Sequence, residues 1–270
     1  MTSLDKRLGF IQGRSLLPHP RNILQSYPLT LDLVRDEYIF LSHSSFSFIE
    51  LFEPELDEGL LHIPSRICSE TIQSFLDLSK SSIKTITFDP VLSIDSSRSL
   101  KTTLARYFAL IENLKDFFPF SLVLPLVGPA CISQNLLIVD FLREITVNTP
   151  FGITLLIEAN LDPHPYVDML NSFSAPLYIT YDTGNRYTPC LDYSYDLSQL
   201  LPFIRHVHLK DKRHGKNTFI GTGRVPFKSI LKALEGHSTP YQGLYTFEAI
   251  RGINPRQSLL TYYQFITSLL

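Results

Sequence analysis

The sequence reads ITLLIEAN at residues 153–160, LYITYDTGN at 177–185, IRHVHLKD at 204–211 and LYTFEAI at 244–250. Each segment is rich in β-branched and aromatic residues, as strands are, and each leads to a side chain that can bind a metal. These side chains are Glu158, Asp182, His208 and Glu248. Their spacings of 24, 26 and 40 residues are typical of successive strand–helix–strand steps in a barrel.

Outward from these segments, the rest of the chain repeats the same alternation of strand-like and helix-like stretches. Four more apolar runs resemble strands: RLGFIQ (7–12), SFSFIELF (45–52), IKTITFD (83–89) and SLVLPLV (121–127). Apolar residues spaced by three or four predict helices over 64–80, 98–118, 131–146 and 255–270, the last with Pro255 in its first turn. Eight strands alternating with helices predict a parallel sheet.

The chain length of 270 residues and the eight strands favour an α/β fold of the (β/α)8 TIM-barrel type over a doubly wound sheet. A doubly wound sheet that binds a dinucleotide would carry GxGxxG after its first strand, and Gly9 and Gly13 do not make that motif. The GTG at 221–223 lies in the middle of the chain. Because no linker or low-complexity segment divides the sequence, we expect one domain over residues 1–270.

The bulk composition argues against several classes of protein. A formal net charge of −2 does not suit a nucleic-acid binder with a strongly basic face. There is neither a long apolar run for a membrane span nor a signal-peptide core at the amino terminus. Cys68, Cys131 and Cys190 are widely spaced and odd in number, which favours free thiols and a cytoplasmic protein. We therefore expect no nucleic-acid or membrane partner.

The residues at the strand ends predict a metal site, since the carboxyl ends of barrel strands meet at one face. Glu50 and Asp89 also end strands, and for each a solvated strand terminus is the alternative. Four ligand types on successive strands are harder to explain in that way. Three carboxylates with one imidazole suit a divalent ion such as Mn²⁺ or Mg²⁺, with Zn²⁺ or Co²⁺ as alternatives. His206 shares a face with His208, but it lies deeper in the strand, so we expect it to pack beside the site.

Two glutamates beside a metal also suit proton transfer. When the metal polarises a carbonyl and a neighbouring hydroxyl, the adjacent C–H becomes more acidic. One carboxylate can then remove the proton and the other can return it, with an enediolate between the two steps. Isomerisation or epimerisation of a sugar is consistent with this arrangement. Metal-dependent hydrolysis is equally compatible with it.

The motifs LLIEAN, YDTGN, HVHLKD, GTGRVPF and YQGLYTFEAI, with FIQGR near the start, resemble the xylose isomerase-like TIM barrels, a family of sugar and sugar-phosphate isomerases and epimerases. The resemblance spans nearly the whole chain. It implies that Glu158, Asp182, His208 and Glu248 bind the metal and that Glu158 and Glu248 are the catalytic acid/base pair. It also implies a role in carbohydrate metabolism with a small sugar or sugar phosphate as substrate.

The subfamily is less well defined by these motifs. Ketose 3-epimerases that act on free sugars usually have a histidine where this chain has Asn185, and the phosphate-sugar epimerases usually have acidic residues where it has Thr222 and Pro226. The family also contains apurinic endonucleases with three zinc ions, but the ends of the second and third strands have no histidine for the extra ions. Inosose dehydratase-like lyases stay open as an alternative, and so does a catalytically silent barrel that serves as a binding subunit.

Basic and amide side chains near these strand ends are candidates for substrate binding. The segment KDKRHGK (210–216) follows the seventh strand, and within it Lys210 and Arg213 could hold a phosphate or carboxylate of the substrate. A solvated loop is the alternative for most of this segment. Further candidates for contacts with the substrate are Arg14, Asn185 and Arg251. Formation of a homo-oligomer through the outer helices is left open, because no apolar stripe marks an interface.

Overall fold

In a computed structural model of the chain, the structure describes residues 4–17, 30–54, 67–126, 135–188, 192–236 and 241–270. Ten strands are described: β1 (Leu8–Ile11), β2 (Phe48–Glu53), β3 (Thr85–Phe88), β4 (Phe120–Pro125), β5 (Ile153–Glu158), β6 (Tyr178–Asp182), β7 (Ile204–Leu209), β8 (Asp211–Arg213), β9 (Lys216–Thr218) and β10 (Leu244–Phe247). All strands but β8 and β9 close into a barrel in the order β1-β10-β7-β6-β5-β4-β3-β2, and every neighbouring pair runs parallel. The predicted TIM barrel is therefore confirmed.

Eight α-helices lie in the described part of the chain: α1 (Leu31–Ser42), α2 (Ser69–Ser79), α3 (Ser97–Asn113), α4 (Leu136–Asn148), α5 (Pro163–Asn171), α6 (Tyr193–Leu200), α7 (Phe227–Glu235) and α8 (Pro255–Thr267). Short 3-10 helices cover Asp5–Arg7, Asp89–Ser93 and Lys115–Phe117. Within this part of the chain, no helix is both long enough and apolar enough to cross a membrane.

The four predicted helices are all present, although the predicted starts at 64–66 and 131–134 lie outside the described residues. Helix α3 begins after Ser96, whose side chain accepts a hydrogen bond from the amide of Ser99 in a reciprocal capping arrangement. It ends at Asn113, and the rest of the predicted stretch forms the 3-10 turn Lys115–Phe117. Pro255 stands in the first turn of α8 as expected, and Asn254 caps that helix by accepting from the amide of Gln257.

The apolar core lies mainly between the barrel and its helices, in one continuous cluster of buried side chains. Inside the barrel, Ile11 and Phe52 form a small separate cluster. Lower in the barrel, the ring of Phe48 covers Gly9 so closely that a Cβ on Gly9 would come within 2.6 Å of it. The interior is otherwise unusually polar for a barrel, since buried threonines, histidines and carboxylates share it. Glu158 and Asp182 end their strands, whereas Thr85 begins β3.

Candidate active site

Four strands of the second half of the barrel bring the predicted ligands together. Glu158 and Asp182 are the last residues of β5 and β6, His208 is the next-to-last residue of β7, and Glu248 directly follows β10. Asp182 pairs in register with His208, and His208 pairs with Thr246. Because side chains alternate along a strand, these register pairs turn Asp182 and His208 to the same interior face, and Glu248, two residues after Thr246, follows on that face.

The four side chains form a compact cluster, with one candidate ligand atom from each lying within 4.8 Å of all the others. His208 Nδ1 lies 3.2 Å from Glu158 Oε2 and 3.1 Å from Glu248 Oε2. Asp182 and His208 are each only 1% exposed. The four ligand side chains predicted from their strand positions therefore meet in space.

Backbone and side-chain donors fix the orientation of the carboxylates. Asp182 Oδ1 accepts hydrogen bonds from the amides of Gly184 (2.8 Å) and Asn185 (2.6 Å), because the chain turns tightly after β6. The Asn185 side chain then donates from Nδ2 to Glu158 Oε1 at 2.9 Å. Asn185 thus links the ends of β5 and β6, and its amide oxygen lies 3.3 Å from Lys212 Nζ.

Lys210 lies inside the cluster. Its Nζ is 2.8 Å from Asp182 Oδ2 and 2.8 Å from Glu248 Oε1, and the residue is buried. Burial alone would lower the pKa of Lys210, but the charges of Asp182 and Glu248 hold it well above the ordinary value for lysine. Its ammonium group is therefore charged and shared between two carboxylates.

Burial and neighbouring charges shift the pKa values of three other groups in the cluster. Burial, together with the charges of Glu158 and Glu248, raises the pKa of Asp182 to about 6, although Lys210 lowers it. Burial alone would raise the pKa of Glu248, but the charge of Lys210 and the nearby His208 hold it below its usual range. Burial would lower the pKa of His208, but the surrounding carboxylates raise it well above 6.5.

The charge balance and the donor set of this cluster fit a divalent cation. Three carboxylates face one lysine, so once the imidazole gives up its extra proton, as a metal ligand must, the cluster has an excess of two negative charges. His208 Nδ1 is buried and makes no hydrogen bond of acceptable geometry, although two carboxylate oxygens lie close to it. Buried excess charge of this kind is costly unless a cation or protons compensate for it. Oxygen donors with one imidazole suit Mn²⁺, Mg²⁺, Co²⁺ or Zn²⁺.

A second buried group lies directly below the first and shares His208 with it. Glu50, His206 and His208 place candidate ligand atoms within 4.8 Å of one another. Burial would raise the pKa of Glu50, but the charge of His208 and hydrogen bonds from His208 and Thr87 hold it at about 2. Burial lowers the pKa of His206 to about 3. His206 lies deeper in β7 than His208, between Glu50 and Thr246, and its packing role beside the site stays a prediction.

The basic segment after β7 is not a simple loop. Its residues form the antiparallel hairpin β8–β9, with Asp211 paired to Thr218 and Arg213 to Lys216. Asp211 anchors it, because the carboxylate accepts hydrogen bonds from the amides of Lys212 (2.8 Å), Gly221 (2.9 Å), Gly223 (2.8 Å) and Val225 (3.2 Å). A Cβ at Gly223 would come 2.0 Å from Asp211 Oδ1, so glycine is required there. The GTG segment thus wraps a carboxylate of the chain itself.

The predicted substrate-binding residues fall into two groups. Asn185 and Lys210 lie in the ligand cluster, where they bind its carboxylates. Arg14 is buried after β1, and its charge is one of those that lower the pKa of Glu248. Arg251 donates from Nη1 to the carbonyl of Gly13 at 3.3 Å, which places it beside the same turn. Arg213 is exposed on the hairpin.

Two contributions were missed at the level of the sequence. Glu37 on α1 is fully buried and accepts hydrogen bonds from the amide of Gly13 (2.8 and 3.0 Å) and from Ser15 Oγ (2.9 Å), so it holds the turn that carries Arg14. The sequence contains a sign that Glu37 is buried, because Glu37 lies on the same helix face as the buried residues Val34, Tyr38 and Leu41. The role of Glu50 had no local signal, since its partners come from β3 and β7.

Cys68, at the start of α2, is an exposed free thiol, as expected, whereas Cys131 and Cys190 lie outside the described residues.

No protein-family model and no curated protein sequence matches this chain. Solved structures do match its fold. A D-allulose 3-epimerase from Methylomonas sp. superposes with a TM-score of 0.74 at 15% sequence identity, over 98% of each chain. Another structure of that enzyme contains D-allulose. The resemblance to xylose isomerase-like barrels drawn from the sequence motifs is thereby confirmed at the level of the fold.

Two further solved structures share this fold but are described as proteins other than D-allulose 3-epimerase. The probable 3-DHS dehydratase AsbF from Bacillus anthracis, involved in petrobactin synthesis, matches with a TM-score of 0.70 at 15% identity, over 97% of this chain and 98% of its own. The IolI protein, whose structure contains a bound zinc atom, matches with a TM-score of 0.67 at 13% identity, over 97% of each chain. Identities this low establish a common fold and leave the reaction to be argued from the site.

Proposed function

We propose that this protein is a divalent-metal-dependent isomerase or epimerase of a sugar or sugar phosphate. The observation that carries the proposal is the cluster of Glu158, Asp182, His208 and Glu248, where three carboxylates and one imidazole converge at the carboxyl face of the barrel. Barrel enzymes carry their active groups at that face. The fold shared with a D-allulose 3-epimerase supports the same class of substrate.

These four residues would hold one ion, which when bound would polarise a carbonyl and a hydroxyl of the substrate. Mn²⁺, Mg²⁺, Co²⁺ and Zn²⁺ all suit this donor set. The zinc atom in the IolI structure supports a metal in a barrel of this fold.

Glu158 and Glu248 are the proposed acid/base pair. Their Oε2 atoms lie 3.2 and 3.1 Å from His208 Nδ1, so they approach the centre of the cluster from β5 and from the end of β10. One carboxylate takes the proton from the carbon next to the carbonyl, and the C–H electron pair forms the double bond of an enediolate. The other glutamate enters the step as the carboxylic acid and donates its proton to the opposite face, which gives an epimer, or to the neighbouring carbon, which gives an isomer.

The remaining polar groups have proposed roles around the substrate. Lys210 holds Asp182 and Glu248 in place and, with Asn185, borders the space next to Glu158. Arg14 and Arg251 lie near the end of β1, on the Glu248 side, where they suit an oxygen or anionic group of the substrate. Arg213 is exposed on the hairpin β8–β9, where it could meet a part of the substrate that extends from the barrel.

The test is solvent-deuterium exchange into a panel of ketoses and ketose phosphates, with Mn²⁺, Co²⁺, Mg²⁺ or Zn²⁺ added to metal-stripped protein. We expect exchange with the wild type and none with Glu158→Gln or Glu248→Gln, because each variant removes a proton carrier and a ligand. Glu144→Gln, on the exposed surface of α4, is the matched control and should exchange like the wild type. Full exchange in either site variant would exclude the two-carboxylate mechanism.

A metal-dependent lyase is the second candidate, and the fold shared with the probable dehydratase AsbF favours it over a hydrolase or nuclease. A lyase would use the same first proton removal but would then expel a hydroxyl group as water. Mass spectrometry of the reaction products separates the two, because epimerisation in deuterated solvent adds one mass unit whereas dehydration removes the mass of water.

A further inference from the structure

A buried carboxylate on the opposite side of the barrel contacts the proposed histidine ligand. Glu50, on β2, is 0% exposed. Two strands, β1 and β10, separate β2 from β7 around the barrel. Nevertheless, Glu50 Oε1 lies 3.1 Å from His208 Nε2. The contact therefore crosses the barrel interior directly below the cluster of four ligands.

The other contacts of Glu50 show that its carboxylate accepts hydrogen bonds. Thr87 Oγ1 donates to Oε1, the same oxygen that faces His208. Oε2 lies 3.2 Å from His206 Nε2, which is also 2.8 Å from Thr246 Oγ1. An ionised carboxylate can only accept hydrogen bonds, so a hydrogen bond between Oε1 and His208 requires an N–H on Nε2. His208 Nε2 is then the protonated nitrogen of the ring.

The two ring nitrogens of His208 consequently face different surroundings. Nε2 points down to Glu50, and Nδ1 points up to Glu158 and Glu248 at 3.2 and 3.1 Å. A neutral imidazole with its proton on Nε2 has a lone pair on Nδ1. That lone pair is directed into the cluster of carboxylates.

We propose that Glu50 is a positioning residue, which holds His208 with Nε2 protonated and with the Nδ1 lone pair aimed at the metal. This role rests on the metal site proposed above. Partners that accept the second N–H of a histidine ligand commonly set its tautomer and ring orientation, and their loss typically weakens metal binding about 10- to 100-fold.

Comparison of Glu50 with Glu53, a second buried glutamate on β2, distinguishes a positioning role from burial of a charge in a structural ion pair. Glu53, on the same strand, is also buried, but it pairs with Arg106 Nη2 at 2.9 Å on the outer side of the barrel. Side chains three residues apart on a strand point to opposite faces. Glu53 therefore anchors α3 to the barrel wall, whereas Glu50 holds the imidazoles of the interior. Glu53→Gln is the matched control.

The experiment titrates metal-stripped protein with Mn²⁺ by calorimetry. We expect one ion per wild-type chain, and a dissociation constant about 10- to 100-fold higher in Glu50→Ala. Glu50→Gln should show a smaller increase, since its amide oxygen still accepts from Nε2. This near-isosteric variant keeps the test valid if the alanine variant does not fold. Glu53→Gln should bind Mn²⁺ like the wild type.

A second readout reports the tautomer itself. Long-range ¹H–¹⁵N correlation spectra of the ¹⁵N-labelled, Zn²⁺-loaded wild-type protein should show His208 with a protonated Nε2 and a metal-bound Nδ1. A reversed pattern would overturn the proposal, and so would unchanged affinity in both Glu50 variants. Two ions per chain, with the second lost in Glu50→Gln, would also overturn it, because Glu50 would then be a ligand with His206 and His208.

These results are distinguishable from failure of the proposed reaction. If the wild type binds no divalent ion, both proposals fall. If it binds one ion with an affinity that depends on Glu50 but exchanges no substrate proton, only the isomerase reaction is excluded. If exchange occurs and the Glu50 variants bind and exchange normally, only the role of Glu50 is excluded.

Discussion

Two groups of buried charged residues are close together in the sequence and differ in net charge. Just after β6, Arg186 pairs with Asp196 through two hydrogen bonds, and Tyr181 adds a third at 2.9 Å. Four residues before Arg186, Asp182 belongs to the cluster of ligands, where carboxylates outnumber the lysine. Arg186 and Asp196 are buried, and so are all four candidate ligands except Glu248, whose side chain is 17% exposed. The main difference between the two groups is therefore whether each charge has a partner of opposite sign.

The pair of Arg186 and Asp196 has a structural role. Arg186 also donates from Nη1 to the carbonyl of Leu161 at 3.0 Å, so it ties the start of α5 to α6 through Asp196. Each charge has a partner of opposite sign. The ligand cluster, in contrast, leaves His208 Nδ1 without a hydrogen bond and keeps an excess of negative charge. Such an arrangement is stabilised by a cation, and the comparison therefore separates a structural pair from a candidate active site.

Breaking the balanced pair should have the largest effect on stability. Arg186→Met leaves Asp196 charged and buried without its cation, which typically costs about 3–5 kcal/mol. Urea unfolding of the variant and the wild type measures this change. The double variant Arg186→Met/Asp196→Asn should recover part of the loss, because it removes the stranded charge.

The exposed pair of Arg143 and Asp140 on α4 is the matched control for this prediction. Its side chains are 68% and 53% exposed. Solvent screens such a pair, so Arg143→Met should change the unfolding free energy by less than about 0.5 kcal/mol. Similar losses in the Arg186 and Arg143 variants would contradict the distinction between buried and exposed charge.

A third buried charge, Glu37, is held by hydrogen bonds and predicts a pH effect. Burial raises the pKa of Glu37 to about 7 from an ordinary value of 4.5, although the amide of Gly13 and the hydroxyl of Ser15 lower it. Between those two pH values the folded protein keeps a proton that the unfolded chain has lost. Stability therefore falls as pH rises through this window, by at most about 3 kcal/mol, and stays lower above pH 7.

Urea unfolding at pH 5 and pH 8 measures this effect in the wild type and in Glu37→Gln. The variant carries no titrating group at that position, so its loss of stability between the two pH values should be smaller by the stated amount. An equal loss in both proteins would show that Glu37 keeps an ordinary pKa when folded.

Added metal should stabilise the folded protein through the ligand cluster and not through the Arg186–Asp196 pair. With free Mn²⁺ at 100 times its dissociation constant, binding to the folded state stabilises a protein by about 2.7 kcal/mol. We expect this gain in the wild type and in Arg186→Met, and little or none at the same concentration in Glu248→Gln. Thermal unfolding with and without Mn²⁺ measures it. A full gain in Glu248→Gln would place the ion elsewhere.

Much of the barrel was predictable from local patterns. The apolar runs that end in Glu158 and Asp182 coincide with the ends of β5 and β6, because strand residues and their terminating polar side chains are adjacent in sequence. Alternation along β7 also placed His206 and His208 on one face. The helices α1, α5, α6 and α7 were not predicted. They are short, between 8 and 12 residues, which weakens a helical pattern in the sequence. Helix α7 nevertheless carries such a pattern, because Phe227, Ile230, Leu231 and Leu234 lie on one buried face.

The structure of the hairpin β8–β9 could not be predicted from the local sequence. The basic residues after β7 suggested a solvated loop or an anion site, but Asp211 collects four backbone amides and folds the segment back on itself. Lys210 is drawn into the barrel because it lies on the same face as His208, where Asp182 and Glu248 neutralise it. Those partners come from other strands.

The sequence alone determined the alternation of strands and helices and the four ligand types at the strand ends, because both depend on residues that are neighbours in the chain. Only the tertiary structure decided that Nδ1 of His208 faces Glu158 and Glu248. The reason is that Nε2 contacts Glu50, which is 158 residues away in the sequence. The tertiary structure also decided that Arg186 and Asp196 balance each other while the adjacent cluster keeps its excess charge. Charge balance in a barrel depends on strand register and on closure of the sheet, and no local pattern encodes either.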